Sequence, residues 1–486
     1  MGSAATVTKD VSEFRGLAAD SREVKPGFLF AALKGVKSDG ANFIADAVKR
    51  GAVAVLGPPD IAERVKKYGV RFIADNNPRL KLSEMAAEFY AGQPNCVAAV
   101  TGTNGKTSVA SFVRQIWTFQ GRKAASLGTL GIDAPSGHVP LNHTTPDPIE
   151  LHAALAELKR EGVEYLALEA SSHGLDQYRL DGVKVSAAGF TNITRDHLDY
   201  HPTFAQYLNA KLGLFERLVK NDGVAVVNQD AAHSAEFIAV AERRKLRLIT
   251  VGARGETLKL TDQVPQVNGQ ELSVFYQGRS RTIALPLAGL FQASNALVAA
   301  GLALGLGDPA DEVFAALERL KGAPGRLELI ARTRTGASIY VDYAHTPDAI
   351  ETVLLAVRPH VKGRLHIIFG CGGNRDKGKR PLMAAAAARY AESVIITDDN
   401  PRHEDPAIIR REALAGAPNA REIGDRSEAI RQGIAALGPN DALIIAGKGH
   451  EDSQIVGDAK QPFSDRAEAL AAALALGGTG VGEKAA

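Results

Sequence analysis

An apolar run from Cys96 to Val100 leads into Gly102-Thr103-Asn104-Gly105-Lys106-Thr107-Ser108, and Ser108 to Gln120 then carries helical periodicity. Strand, glycine-rich turn and helix in that order form a phosphate cradle. Glycines let backbone N–H groups approach an anion, and the helix N-terminus adds the positive end of its dipole. Lys106 is spaced to reach outer phosphates, and Thr107 to place a hydroxyl on Mg²⁺. The spacing is shorter than the common G-x-x-x-x-G-K-[ST] pattern, which would put glycine where Val100 stands. The feature predicts a bound nucleoside triphosphate and leaves the reaction open.

The rest of the chain narrows the classes. At 486 residues it predicts roughly three domains of about 150 residues each. Lys+Arg 57 against Asp+Glu 55 leaves a net +2, too balanced for a nucleic-acid stripe or a membrane-surface patch. The two cysteines, Cys96 and Cys371, form no paired or metal-type spacing, which fits a reducing compartment. No apolar stretch is long enough to span a bilayer, and the start lacks a basic-then-apolar signal region. A cytoplasmic protein without membrane insertion or nucleic-acid partner is expected.

Three regions separate by pattern. Residues 1–93 alternate short apolar segments with turn signals, and Ala91-Gly92-Gln93-Pro94 reads as a linker. Residues 94–324 contain strand-like runs at Tyr165–Glu169, Ala187–Asn192 and Val224–Asn228, with helical patterns between them. Leu258 to Pro286, containing Asn268-Gly269, predicts a small antiparallel excursion. Past Ala323-Pro324-Gly325, residues 325–486 alternate β-like runs at Ser338–Val341, Leu365–Phe369, Ser393–Thr397 and Ala442–Ala446 with helical stretches. The fold class is α/β: a smaller N-terminal α/β domain, a central phosphate-loop domain on a mostly parallel sheet, and a C-terminal Rossmann-like domain. The Gly/Ala/Thr-rich tail after Gly477 is expected to fray.

Polar residues cluster after the strands. Glu169 ends an apolar strand and precedes Ala170-Ser171-Ser172-His173-Gly174, which suits it to holding Mg²⁺ near the phosphate loop. A second cluster, Thr194 to His201, follows the next strand, although oxygen-rich Mg²⁺ sites rarely need histidine. In the last region three polar loops stand at carboxyl ends of strands, where open α/β sheets bind ligands: Gly370 to Gly378, Asp399 to Arg402 and Gly447 to Glu451. The first of these mixes glycines with cations and suits several anionic oxygens.

GTNGKTS, LEASSHGL, NITRDHLDYH, GAPGRLE, VDYAHTPDA, GCGGNRDKGKRP, DNPR and AGKGHE occur in the order and spacing of the Mur ligases. The chain resembles that family from Asp20-Ser21-Arg22 to Glu451, most closely the branch that adds the third amino acid in peptidoglycan synthesis. The resemblance implies an ATP-dependent, amide-forming ligase. It would join meso-2,6-diaminopimelate to UDP-N-acetylmuramoyl-L-alanyl-D-glutamate through an acyl phosphate, with Mg²⁺ as cofactor and small molecules as its partners. A monomer is expected. It further implies that Ala19, Ser21, Val36, Lys37 and Ser38 hold the uridine diphosphate end. His143, Thr144, Thr145, Ser171, Gln177 and Arg179 would bind the sugar-peptide. The family often has asparagine at the His143 position.

By the same resemblance Glu169 and His197 are Mg²⁺ ligands with Thr107. Lys211 matches a lysine carboxylated in the family, whose carbamate helps to hold the metal. Asn295 would contact adenine, with Gln292 standing where asparagine is usual, and Arg326 and Asp342 would contact ATP. Arg375, Asp399, Asn400, Pro401, Arg402, Gly447 and Glu451 would form the amino-acid site. DNPR is the version associated with diaminopimelate: a guanidinium fork meets the second carboxylate, which lysine lacks. The alternatives are a lysine-adding Mur ligase, which should lack Arg402, and a folate polyglutamylating ligase, which should lack the DSR…DGxxF pattern at Asp20–Arg22 and Asp39–Phe43. A phosphate-loop switch or nucleic-acid motor fits the charge balance poorly.

Overall fold

The computed structural model describes residues 11–35, 38–194, 196, 200–267 and 269–481. The chain divides into two compact units: residues up to Thr250 together with Gly301–Asp308, and Val251–Ala300 together with the chain from Pro309 onward.

The first unit holds two sheets. The smaller runs Gly16–Ala18, Phe28–Ala31, Ala54–Gly57 and Arg71–Ala74, every neighbour parallel. Its two faces are covered by separate apolar clusters, one around Phe30, Ile44 and Val65, the other around Leu29, Leu56 and Met85. Helix Pro78–Tyr90 supplies Leu82 and Met85 to the second cluster, and starts with Asn77 capping the Leu80 N–H and proline in its first turn.

The larger sheet sets Cys96–Thr101 between Val185–Phe190 and Tyr165–Glu169, with Val219–Asn228 and Ala124–Gly128 outside them, all parallel. Gly131–Ala134 and Gly137–Val139 add an antiparallel ribbon at one edge. Strands buried on both faces read as continuous apolar runs, which is why they are legible in the sequence. The register aligns their carboxyl ends: Thr101 pairs with Phe190, and Val100 with Glu169. Glu169 therefore ends its strand beside the phosphate loop.

Helix Lys106–Phe119 packs its apolar side on this sheet and buries the chain's one tryptophan, Trp117, completely. The indole Nε1–H donates to Asp308 Oδ2 at 3.0 Å, and Arg122 pairs with the other oxygen of the same buried carboxylate at 2.6 Å. Tyr165 lies against the indole, with ring centroids 5.2 Å apart.

In the second unit Leu258–Gln266, Gly269–Tyr276 and Arg279–Leu285 form an antiparallel meander, the excursion that the alternation predicts. Asn268 of its expected turn lies outside the described residues. The C-terminal sheet runs Arg421–Glu422, Ser393–Asp398, Leu365–Cys371, Ala442–Ala446 and Ser338–Asp342 in parallel, then Glu328–Arg332 and Thr479–Gly480 antiparallel. Helices Pro347–Val357, Lys379–Tyr390 and Pro406–Leu414 cover one face, and Arg426–Ala435 and Asp465–Ala475 the other.

The expected fraying of the tail is wrong through Val481. Gly477, at φ +74°, turns the chain back, Thr479 and Gly480 pair with Arg332 and Ala331, and Val481 N–H donates to Ile330 at 3.0 Å. The edge of Glu328–Arg332 offers unpaired backbone groups, and the tail satisfies them.

Candidate active site

The phosphate loop is braced from the neighbouring strand. Gly102 sits at φ +155°, and a Cβ there would lie 1.9 Å from Thr191 Oγ1 and 2.9 Å from the Asn192 carbonyl, so only glycine fits. Thr103 N–H donates to the Asn192 carbonyl at 2.8 Å, and Asn104 N–H to Asn192 Oδ1 at 3.0 Å. Thr191 Oγ1–H donates to the Asn104 carbonyl at 2.6 Å, and Asn192 Nδ2–H to the same oxygen at 3.2 Å. Thr103 Oγ1 also meets the Tyr207 hydroxyl at 2.9 Å. Gly105, left-handed at φ +87°, starts the helix, whose first-turn amides have no partner within the helix. Lys106 Nζ folds back onto the carbonyls of Gly102 and Thr103, each at 2.8 Å. Ser108 is buried in the first turn.

Glu169 joins this loop to a second group of residues. Its carboxylate, 2% exposed, accepts from Thr107 Oγ1–H at 3.0 Å, from Thr129 N–H at 2.8 Å and from Thr129 Oγ1–H at 3.1 Å. It packs over Gly128, where a Cβ would lie 2.1 Å from Glu169 Oε1. Thr129 Oγ1 in turn meets Thr144 Oγ1 at 2.9 Å. The Glu169 carbonyl accepts from Thr145 Oγ1–H at 3.0 Å, and Thr145 Oγ1 accepts from Ser171 N–H at 3.1 Å. Arg179 donates to the Thr145 carbonyl at 2.7 Å and to Gln177 Oε1 at 2.9 Å. The structure thus brings Thr107, Glu169, Thr144, Thr145, Ser171, Gln177 and Arg179 into one connected network. His143 stands exposed beside it.

The donors at Thr107 and Glu169 are hard oxygens of the kind Mg²⁺ takes, so these residues fit that ion. Among the described residues no group of three or more His, Cys, Asp or Glu side chains gathers as a metal centre. His197 lies outside the described residues. Lys211, 1% exposed on helix Phe204–Gly213, donates from Nζ to the Gly102 carbonyl at 2.7 Å and sits 4.5 Å from the Tyr207 ring centroid. Burial, with the nearby charge of Lys106, pushes its pKa well below the usual 10.5, against the opposing pull of Asp196. Burial therefore favours the neutral amine, the nucleophilic form.

Ala19, Ser21 and Ser38 line a cavity of about 770 Å³ together with Gln177 and Arg179. Asp20 caps the turn that carries Ser21 by accepting from Arg22 N–H at 2.9 Å. Arg79, missed in the sequence, lines the same cavity and donates to the Lys34 carbonyl at 2.6 Å and to Gln177 Oε1 at 3.4 Å. Val36 and Lys37 lie outside the described residues.

In the second unit Asn295 Nδ2–H donates to Gln292 Oε1 at 3.0 Å, and Gln292 Nε2–H to the Arg326 carbonyl at 3.3 Å. The Arg326 guanidinium lies 4.7 Å from the Tyr343 ring centroid. Asp342 accepts from the N–H groups of Leu327 and Ala344, each at 2.7 Å. Burial raises its pKa, and the charge of Arg326 opposes that rise.

The three C-terminal loops converge as their places in the sheet require. Arg402 takes a left-handed φ of +52°, held by its N–H to the Ile455 carbonyl at 3.0 Å and by Gly457 N–H to its own carbonyl at 2.7 Å. Its Nη1–H donates to the Gly373 carbonyl at 2.9 Å. Pro401 is buried beneath, and its carbonyl would lie 1.9 Å from a Cβ at Gly373. Arg375 and Arg402 flank Gly372, where a Cβ would lie 3.6 and 3.0 Å from them. Gly447, at φ +111°, passes Asp399, whose Oδ2 would lie 3.0 Å from a Cβ at that glycine. Asn400 Nδ2–H donates to Glu451 Oε2 at 3.0 Å. The side chains of Arg375, Arg402, Asp399 and Glu451 therefore gather about these loops, which suits a zwitterion with a spare carboxylate.

Three family models match in succession: the Mur ligase family catalytic domain over residues 13–90, the Mur ligase middle domain over 100–303, and the Mur ligase glutamate ligase domain over 325–449. A UDP-N-acetylmuramoyl-L-alanyl-D-glutamate–2,6-diaminopimelate ligase of Bradyrhizobium diazoefficiens is 55% identical over 469 residues, covering 95% of each chain. The protein of that name from Brucella melitensis is 52% identical over 463 residues, covering 95% of this chain and 94% of its own. A solved structure of a ligase of the same name shares 34% identity and a TM-score of 0.71, covering 96% of both chains. Set beside the braced phosphate loop and the loop cluster at Arg402, these matches show that the chain belongs to the Mur ligase family.

Proposed function

We propose that this chain is an ATP-dependent ligase that adds meso-2,6-diaminopimelate to UDP-N-acetylmuramoyl-L-alanyl-D-glutamate in the cytoplasm. The observation that carries the reading is the Glu169 network, which links Thr107 of the phosphate loop to Thr129 and Thr144. The phosphoryl donor on one side and the carboxylate that accepts the phosphoryl group on the other would meet there. The D-glutamyl γ-carboxylate attacks the γ-phosphorus, the bond to the β-phosphate oxygen breaks, and ADP leaves. The diaminopimelate amine then adds to the acyl-phosphate carbonyl, loses a proton, and expels phosphate.

The residues of this chain supply position and charge. Lys106 turns from the loop carbonyls to the transferred phosphoryl oxygens, and the first-turn amides of its helix hold the phosphates. Thr107, Glu169, His197 and a carboxylated Lys211 would hold Mg²⁺, which when bound neutralises phosphate charge. Asn295, Arg326 and Asp342 are assigned to ATP. Ala19, Ser21, Val36, Lys37 and Ser38 are assigned to the uridine end, and His143, Thr144, Thr145, Ser171, Gln177 and Arg179 to the sugar-peptide. Arg375 and Arg402 take the spare carboxylate of diaminopimelate, and Asp399 and Glu451 its ammonium. In domain terms this assigns the uridine end to residues 1–93, the phosphate loop and adenine contact to 94–324, and the amine to 325–486, which also supplies Arg326 and Asp342 to ATP.

Phosphate release tests the reading. It should require ATP, UDP-N-acetylmuramoyl-L-alanyl-D-glutamate and meso-diaminopimelate together. Lysine, ornithine and glutamate should substitute poorly. Robust ATP hydrolysis without the acceptor, or preference for lysine or glutamate, would overturn it.

A further inference from the structure

Lys448 stands between Gly447 and Gly449 at the end of strand Ala442–Ala446 and is completely buried. Burying a lysine is costly unless its ammonium is paired and hydrogen-bonded. The flanking glycines make room for the turn: they adopt φ of +111° and +56°, and a Cβ at Gly449 would lie 2.8 Å from Tyr343 Cβ. Nothing in the phosphate chemistry calls for this cation.

Its partners point elsewhere. Lys448 Nζ donates to Glu451 Oε2 at 2.9 Å and to Asn400 Oδ1 at 3.2 Å. The same Glu451 oxygen accepts from Asn400 Nδ2–H at 3.0 Å, and Asn400 Oδ1 accepts from Ile455 N–H at 2.9 Å. The ammonium and the Ile455 amide leave the Asn400 amide one orientation, with oxygen toward lysine and nitrogen toward glutamate. One carboxylate oxygen of Glu451 is thereby saturated. The other takes no hydrogen bond from the described residues, and the side chain is one-third exposed.

We propose that Lys448 is a positioning residue for amino-acid selection: it pins Glu451 and Asn400 so that the free Glu451 oxygen faces the ammonium of the incoming diamino diacid. The proposal rests on the ligase reading above. Two donors fix one Glu451 oxygen and leave the other without a hydrogen bond from the described residues, at a loop after the carboxyl end of a strand, where open α/β sheets bind ligands. The buried cation also balances the charge of Glu451.

Steady-state kinetics of the full-length enzyme decide the matter. Lys448→Met removes the ammonium at similar volume. It should raise the KM for meso-diaminopimelate by about 10- to 100-fold, the size expected for a charge-assisted hydrogen bond. The KM for ATP and for the UDP-linked acceptor should stay within about twofold, inside the spread of a distant, uncoupled site. A double-mutant cycle with Glu451→Gln should be strongly non-additive, because lysine acts through glutamate. If Lys448→Met does not fold, Lys448→Gln, which keeps a donor without the charge, is read by the same measures. Equal changes in all three KM values, a fall in thermal midpoint with an unchanged diaminopimelate KM, or an additive cycle would overturn the proposal. If instead the parent enzyme fails to use meso-diaminopimelate, the ligase reading itself falls, which is a separate result.

Discussion

The side-chain amines of Lys106 and Lys211 both donate to one oxygen, the carbonyl of Gly102, at 2.8 and 2.7 Å. Burial disfavours the charged form of the Lys211 amine, and the Lys106 charge beside it adds to the effect, so its pKa falls. The neutral form of such an amine can attack carbon dioxide, lose a proton and become a carbamate. Enzyme equilibrated with ¹³C-labelled bicarbonate should show a carbamate carbon resonance that disappears in Lys211→Arg. Lys211→Ala should lose turnover and regain part of it with short carboxylic acids. Full activity of Lys211→Ala under strict removal of carbon dioxide would rule the carbamate out.

The same shift has a stability consequence whose sign is fixed. The native state releases the Lys211 proton below the unfolded value of 10.5, so between the two pKa values the unfolded chain binds more protons and stability rises with pH. Without carbon dioxide, Lys211→Met should melt at a higher temperature than the parent near neutral pH. The gap should narrow as pH approaches 10.5. A gap that widens with pH would contradict the depressed lysine.

Gly102→Ala would force a Cβ to 1.9 Å from Thr191 Oγ1. The loop must move or the strand must part, at a cost of about 1–3 kcal/mol in stability. ATP affinity should fall while helix Lys106–Phe119 survives. Isothermal calorimetry with a non-hydrolysable ATP analogue and a thermal melt measure the two effects separately.

Arg402, proposed above to take the spare carboxylate of diaminopimelate, has a left-handed backbone at φ +52°. Arg402→Gly should be more stable than Arg402→Ala by about 1 kcal/mol, because only glycine adopts that conformation freely. Both variants should raise the diaminopimelate KM far more than the ATP KM. Equal stability of the two would mean that the loop relaxes when the guanidinium is gone.

The phosphate loop was legible because strand, turn and helix follow one another in the chain, so local spacing carries the geometry. The three C-terminal loops were legible for a related reason, since each directly follows a buried apolar strand. What holds those loops was not. Asn192 braces Thr103 and Asn104 only because Phe190 pairs with Thr101 in the sheet, a register between segments far apart in sequence. Thr129 reaches Glu169 across another such pairing, that of Ala124–Gly128 with Tyr165–Glu169. Lys448 lies inside the AGKGHE motif, yet lysine is by its chemistry a surface residue, and two glycines reverse that expectation. The pairing of the tail with Ala331 and Arg332 was hidden because short Gly/Thr segments have weak strand propensity.

Because the one indole of the chain is sealed inside the first unit against Asp308 and Tyr165, its emission reports on that unit alone. Far-ultraviolet circular dichroism sums both. Following the two signals through one denaturant titration would separate the melting of the first unit from that of the second. The molecule thus carries its own half-specific optical gauge, with no label added.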